Sequence, residues 1–202
     1  MYEKNKVNFM KKQRSLYPLE FDGIYKKRAQ IIINRLHKIP RTGYKDRGVK
    51  NPETVGEHTD ELVFLSETLF QTPGLNKMLK IHDWAESKKN IGDRRTDPLC
   101  PPEKRWTIEQ KYKNELAAMQ VICSTLGPYG NEILSDWLEF EERKTEKAII
   151  AYQLDKYQMI EKAIKYQLQG EPIIAQEFID YDGPKITHPT LVRLMEQAIK
   201  KI

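Results

Sequence analysis

The segment "IHDWAES" sets His82 and Asp83 side by side in a stretch whose other inward positions are apolar. Read as a helix, Leu75, Met78, Leu79 and His82 fall at i, i+3, i+4 and i+7, and Glu86 continues that face one turn further. An imidazole or carboxylate on an apolar stripe is costly to bury unless it is hydrogen-bonded, paired or bound to a cation. Two more positions repeat the anomaly. His58 heads a stripe with Leu62, Leu65 and Leu69, and Asp155 in "KAIIAYQLDKYQMIEKAI" shares its face with Ala151, Tyr152 and Met159. Each residue alone has an ordinary reading: a hydrogen-bonded core histidine, a carboxylate paired with lysine or arginine, an exposed charge at Asp83. Taken together, two imidazoles and two carboxylates form a donor set for one divalent cation. Mixed nitrogen and oxygen donors suit Mn²⁺, Co²⁺, Fe²⁺ or Zn²⁺ better than Ca²⁺, and the residue types do not choose among those ions.

The elements that must position these side chains follow from 3.6-residue periodicity, which recurs along the chain while strand-like alternation is scarce. Helices are predicted from about Asp22 to His37 with Ile24, Ile31 and Leu36 buried, from Thr54 or Val55 to just before "QTPG", and through "IHDWAE". Further helices are predicted over Glu103–Leu126, Asn131–Glu142, Lys144–Leu168 and Pro189–Lys200. "KIPRTGYKDRGVKNPE" and "GDRRTDPLCPPE", broken by proline and glycine, read as long loops, and loops of that length are often functional. The fold class expected is an all-α bundle in one domain. Residues 1–20 read as a loosely held basic arm, 21–170 as the main domain, and 171–202 as a C-terminal extension whose final helix packs on the bundle through Leu191, Leu194, Ala198 and Ile202.

The pattern "H…HD…D", carried by His58, His82–Asp83 and Asp155, resembles the HD-domain metal-dependent phosphohydrolases. The phrases "RLHKIPRTGY", "RGVKNPETVGEH", "IHDWAES", "IGD" and "QLDKYQMI" resemble in particular the HD-domain 5′-deoxynucleotidases, over about Ile31 to Gln169. The resemblance implies an HD-domain helical bundle and His58, His82, Asp83 and Asp155 as ligands of one divalent metal. It implies hydrolysis of (deoxy)nucleoside 5′-monophosphates by water activated at that metal. Glu86 and Asp93 correspond to the acidic catalytic positions. "SKKNIGD" is about two residues longer than the family's usual spacing, so Asp93 either returns to place or is a plain Gly-Asp turn. Arg41 corresponds to a 5′-phosphate clamp. Arg47 is a second candidate for that role, and Tyr44 offers either a ring against sugar or base or an anchor for its loop. Trp84 reads as core, His37 and His188 as surface or capping residues. The resembling enzymes are commonly dimers, which implies a homodimer.

Bulk properties bound the alternatives. With 202 residues, 39% hydrophobic and 31% charged, the chain has a globular composition. No run approaches the ~20 apolar residues of a membrane span, and no signal-peptide pattern stands near Met1, so no membrane partner is expected. Cys100 and Cys123 have no CxxC spacing, so neither a disulfide framework nor a zinc cluster is indicated, and sparse cysteine without an export signal favours the cytoplasm. The net charge of +5 is spread thinly as a solvated surface that can also attract a phosphorylated substrate. Specific nucleic-acid binding is not expected, for there is no zinc-finger spacing, RNP-like strand or basic recognition helix. Lys88, Lys89, Arg94 and Arg95 in the variable connection could reach extra phosphates, so nucleoside triphosphates or another phosphorylated small molecule form the alternative substrate class.

Overall fold

The computed structural model describes residues 21–202, so the basic arm lies outside the described residues. Nine α-helices and three short 3₁₀ turns account for the regular structure there. They are α1 (Gly23–Leu36), α2 (Thr42–Lys45), α3 (Val55–Leu69), α4 (Leu75–Ile81), α5 (Ile108–Ser124), α6 (Gly130–Glu142), α7 (Glu146–Leu168), α8 (Ala175–Asp182) and α9 (Pro189–Ile199). The all-α expectation holds. A single bridge, Pro40 against Thr54, is the only strand-like pairing among the described residues.

Local chemistry sets most helix starts. Thr54 and Glu57 form a reciprocal capping box at α3, and Thr107 with Gln110 does the same at α5. Thr145 caps α7 by accepting from Ala148 N. These threonines correct two expected boundaries: the helix predicted from Glu103 begins at Ile108, after the prolines and its cap, and the one predicted from Lys144 begins at Glu146. Helix α8, which sequence reading left unassigned, follows Ile174 and buries Ala175 and Phe178. In α1, Leu36 is buried as expected, but Ile24 and Ile31 are about half exposed while Ala29, Ile32 and Ile33 point inward. The apolar residues of α1 allow two phases, and packing on its neighbours selects the second.

The core forms two apolar clusters. One is built from α3, α4, α7, α8 and α9 with Tyr44 and Phe140, and includes Leu62, Leu79, Leu154, Phe178 and Leu191. The other joins α1, α5 and α6, with Leu36, Val55, Ile81, Trp84, Met119 and Trp137. Helix α7 is central and packs against α3, α4, α6, α8 and α9. Leu191 and Ala198 of α9 are buried in the first cluster with Leu194 packed beside it, whereas Ile202 is exposed. The seam matters for function. His58 sits on α3 between Val55 of one cluster and Leu62 of the other, and His82 directly follows Ile81.

The α3 cap therefore holds the helix that carries His58. Thr54→Ala should lower the urea midpoint at unchanged slope, corresponding to a loss of about 1 kcal/mol; circular dichroism during urea titration measures it.

Candidate metal centre

Helix α4 stops at Ile81, just before the doublet, and not beyond it as the periodicity suggests. His82 ends the helix, Asp83 leaves helical geometry at φ −99° and ψ 11°, and Trp84–Ser87 forms a 3₁₀ turn. Trp84 is fully buried in the second cluster, and that tighter turn still directs Glu86 inward, at 1% exposure.

The side chains from α3, the doublet and α7 converge. His58 Nε2 is 3.1 Å from Asp155 Oδ1, His82 Nε2 is 3.1 Å from Asp83 Oδ2, and His58 Nε2 is 3.9 Å from Asp83 Oδ2. Ligand atoms of His58, His82 and Asp155 all lie within 4.8 Å of one another. Donors each about 2 Å from a common ion stand roughly 3–4 Å apart, so these separations fit one cation. Among the described residues, Nε2 of both histidines and Oδ2 of Asp83 are buried without a hydrogen-bond partner. Three orphaned polar atoms facing one point are costly in an apolar seam, and a cation there satisfies all of them. The other ring nitrogens are engaged: His58 Nδ1 is 2.7 Å from Gln158 Oε1, and His82 Nδ1 is 2.6 Å from the Leu79 carbonyl. The His82 bond leaves Nε2 with its lone pair directed inward. The residues present fit a divalent metal ion.

Charges surround the cluster in alternation. Arg41 Nη1 stands 3.5 Å from Asp83 Oδ2, and Lys156 Nζ stands 2.9 Å from Asp155 Oδ2. Burial works against ionised Asp83, but His82 and Arg41 outweigh it and hold its carboxyl below the usual range. Asp155 is likewise held low against burial by Lys156 and His58. Glu86 goes the other way: burial, then Asp83 and Asp93, push its carboxyl well above the ordinary value. Glu86 Oε1 meets Lys111 Nζ at 3.4 Å, and the same ammonium lies 3.4 Å from Glu115 Oε1. Burial chiefly raises Glu115 to about 7.

A cavity opens onto this cluster, lined among others by Arg41, Asp83, Asp93, Lys111, Asp155 and Lys156. The lengthened connection before Asp93 closes as a turn, with amides of Ile91 and Gly92 donating to the Lys88 carbonyl. Ile91 is buried as an anchor, and Gly92 adopts φ +63°, a backbone state that favours glycine. Asp93 thereby reaches the start of α2, where Oδ2 accepts from Thr42 N at 2.6 Å and its carbonyl accepts from Thr42 Oγ1 at 2.8 Å. Arg47 also lines the cavity, but its Nε donates to Glu177 at 2.7 Å and its guanidinium lies over Phe178. Tyr44 is 1% exposed, stacked on Phe178, with its hydroxyl donating to the Met159 carbonyl. That geometry anchors the loop behind Arg41. His188 caps α9 by accepting from Thr190 N, and His37 faces Asp60 at 3.6 Å over Gly56.

Sequence reading passed over Lys111, Lys156, Gln158 and Thr42. A signal existed for the first: Lys111 and Glu115 continue the inward stripe of Ala118, Met119 and Ile122, the same polar-on-apolar anomaly that marks His82.

A family model for the HD domain matches residues 33–182. The chain belongs to the HD-domain family. This HD domain is 31% identical to the 5′-deoxynucleotidase HDDC2 of Dictyostelium discoideum, over 82% of the chain and 92% of that protein. It is also 31% identical to the 5′-deoxynucleotidase hdd1 of Schizosaccharomyces pombe, over 84% of the chain and 86% of that protein. A solved structure described as a "Predicted metal-dependent phosphohydrolase" from Magnetospirillum magnetotacticum shares the fold, with a TM-score of 0.64 and 19% identity over 88% of this chain and 93% of that one. No helix among the described residues is long and apolar enough to cross a membrane.

Two outcomes follow from this electrostatic arrangement. Asp155→Ala should abolish high-affinity metal binding in the HD domain while leaving helix content intact, as measured by elemental analysis and circular dichroism. Glu115, raised in the folded state from an ordinary value near 4.5 to about 7, binds more protons folded than unfolded between those pH values. Its stabilising contribution is therefore present below pH 4.5 and lost as pH rises through 7. In metal-free protein, Glu115→Gln should flatten the decline of unfolding free energy over that window, measured by urea titration at several pH values.

Proposed function

We propose that this HD-domain protein hydrolyses nucleoside 5′-monophosphates, deoxynucleotides included, to a nucleoside and inorganic phosphate. The observation that carries the reading is the pair of orphaned imidazole Nε2 atoms facing two carboxylates at the base of a cavity flanked by Arg41. The two relatives named 5′-deoxynucleotidases supply the substrate class. His58, His82, Asp83 and Asp155 hold one divalent ion, drawn from Mn²⁺, Co²⁺, Fe²⁺ and Zn²⁺. When bound, the ion polarises a phosphoryl oxygen and makes water more acidic.

The protein's own side chains do the rest. Arg41, fixed beside Asp83, binds the 5′-phosphate through its guanidinium fork. Water adds to phosphorus, the P–O5′ bond breaks, and O5′ leaves with a proton. Burial, then Asp83 and Asp93, push the Glu86 carboxyl well above its ordinary value, which suits it to deliver a proton to O5′. Asp93, with Oδ2 occupied by the Thr42 amide, keeps Oδ1 to orient the attacking water and take its proton. Lys111 supports Glu86 from α5. Burial alone would lower its pKa, but Glu115 and further acidic neighbours hold it above the ordinary lysine value.

The triphosphate alternative depends on the basic connection. Arg95 is bound by Asp97 and Asp46, and Lys88 and Lys89 do not line the cavity, which leaves Arg94 as the exposed cation at its mouth. This favours the monophosphate. The reading includes a cytoplasmic homodimer: two buried free cysteines suit a reducing compartment, and the half-exposed Ile24 and Ile31 on α1 offer apolar surface to a second copy. Light scattering of purified protein tests the dimer.

Assaying the protein with Mn²⁺ or Co²⁺ against mono- and triphosphates should yield inorganic phosphate from monophosphates; release of tripolyphosphate, or no phosphate with any nucleotide, rejects the proposal. Glu86→Gln should slow turnover about 10²–10⁴-fold with metal content unchanged. Arg41→Ala should raise KM for monophosphate, as measured by steady-state kinetics.

A further inference from the structure

Beneath the metal cluster lies a buried polar chain that no catalytic role accounts for. It runs from His58 on α3 through Gln158 on α7 to Glu53, which precedes the α3 cap, and on to Lys162 and Glu61. Gln158 is fully buried, Glu53 is 6% exposed and Glu61 is 2% exposed. Gln158 Nε2 donates to both Glu53 oxygens, at 3.2 Å and 3.1 Å. Lys162 Nζ lies 2.9 Å from Glu53 Oε2 and 2.5 Å from Glu61 Oε2.

This chain has a direction. A carboxylate can only accept, so Glu53 compels Gln158 to turn its NH₂ group toward it. The carboxamide oxygen of Gln158 must then face His58, where it stands 2.7 Å from Nδ1. An oxygen there requires Nδ1 to carry a ring proton, which in the neutral ring leaves Nε2 as a bare lone pair aimed at the cluster. The opposite tautomer would place a proton on Nε2 and block it as a ligand. Glu53 also holds the substrate side of the site through its backbone: its carbonyl accepts from Arg41 N at 2.8 Å, and its amide donates to Tyr166 Oη at 2.7 Å.

We infer that Glu53 is a positioning residue that, acting through the Gln158 carboxamide, sets the tautomer in which His58 can ligate a metal. The inference rests on the metal-centre reading, but its first readout needs neither metal nor substrate. Glu53→Gln keeps the shape and removes the direction. Lys162 claims the remaining oxygen, the new amide NH₂ faces Gln158, and two NH₂ groups cannot stay opposed. Gln158 turns over, presents NH₂ to Nδ1, and moves the His58 proton to Nε2. Exchanging the two groups, as in Glu53→Gln with Gln158→Glu, restores an acceptor at Nδ1 and the original direction.

The test is long-range ¹H–¹⁵N correlation of the histidine rings in metal-free protein, with Mn²⁺ and Co²⁺ titrations by calorimetry. Wild type should show His58 protonated at Nδ1. Glu53→Gln should move the proton to Nε2 and weaken metal binding about 10–100-fold, and the exchanged pair should recover Nδ1–H and most of the affinity. A wild-type His58 protonated at Nε2 overturns the inference, as does a folded Glu53→Gln protein with unchanged tautomer or affinity. If that single variant does not fold, wild type and the exchanged pair decide: Nδ1–H in both supports the inference, and Nε2–H in either overturns it. A protein that meets these expectations yet releases no phosphate from nucleotides retains the relay and loses only the nucleotidase reading.

Discussion

Two imidazoles and two carboxylates meet at the seam between two apolar clusters, and the cost of burying them organises the rest of the molecule. Three outward-facing polar atoms of the group have partners: Gln158 for His58, the Leu79 carbonyl for His82 and Lys156 for Asp155. The inward-facing Nε2 atoms and Asp83 Oδ2 have no hydrogen-bond partner. Unsatisfied groups of this kind cost about 1–3 kcal/mol each, so a cluster of them persists only where something regularly supplies the missing partner. A cation is the partner that both lone pairs and both carboxylates accept together.

The charges around the cluster explain why an anionic substrate is admitted where acidic groups abound. Arg41 and Lys156 sit against Asp83 and Asp155, and Lys111 lies between Glu86 and Glu115. A dication added to this alternation leaves the cavity attractive to phosphate. The same crowding divides labour among the carboxyls. Against burial, neighbouring charged groups hold Asp83 and Asp155 below the usual carboxylate range, while burial, then Asp83 and Asp93, push Glu86 above it. One cluster thus holds carboxyl groups shifted in opposite directions, separated by environment and not by residue type.

The loop from Lys38 to Glu53 shows how a segment without its own periodicity is made rigid. The Pro40–Thr54 bridge and the Arg41 to Glu53 hydrogen bond close it, Tyr44 pins it to the core between Tyr166 and Phe178, and Thr42 clamps Asp93. Arg41 therefore emerges from a framework tied to α3, α7 and the connection after the doublet. Asp93, whose spacing left its position open, reaches the cavity through a turn closed by buried Ile91 and by the left-handed backbone of Gly92.

Periodicity and residue type alone determined the helical class, most helix positions and the four polar residues that do not belong on apolar faces, because helix formation and the cost of burying charge are local. The Thr107–Gln110 capping pair and the inward stripe of Lys111 and Glu115 are local signals of the same kind that the sequence reading did not use. Tertiary structure decided what depends on neighbours distant in the chain. It chose the buried phase of α1 and ended α4 at Ile81, so that the doublet stands at a change of helix type. It also turned Gln158 toward Glu53, more than a hundred positions away. A hydrogen bond has a direction only once both partners are in place, and the fold alone supplies the second partner.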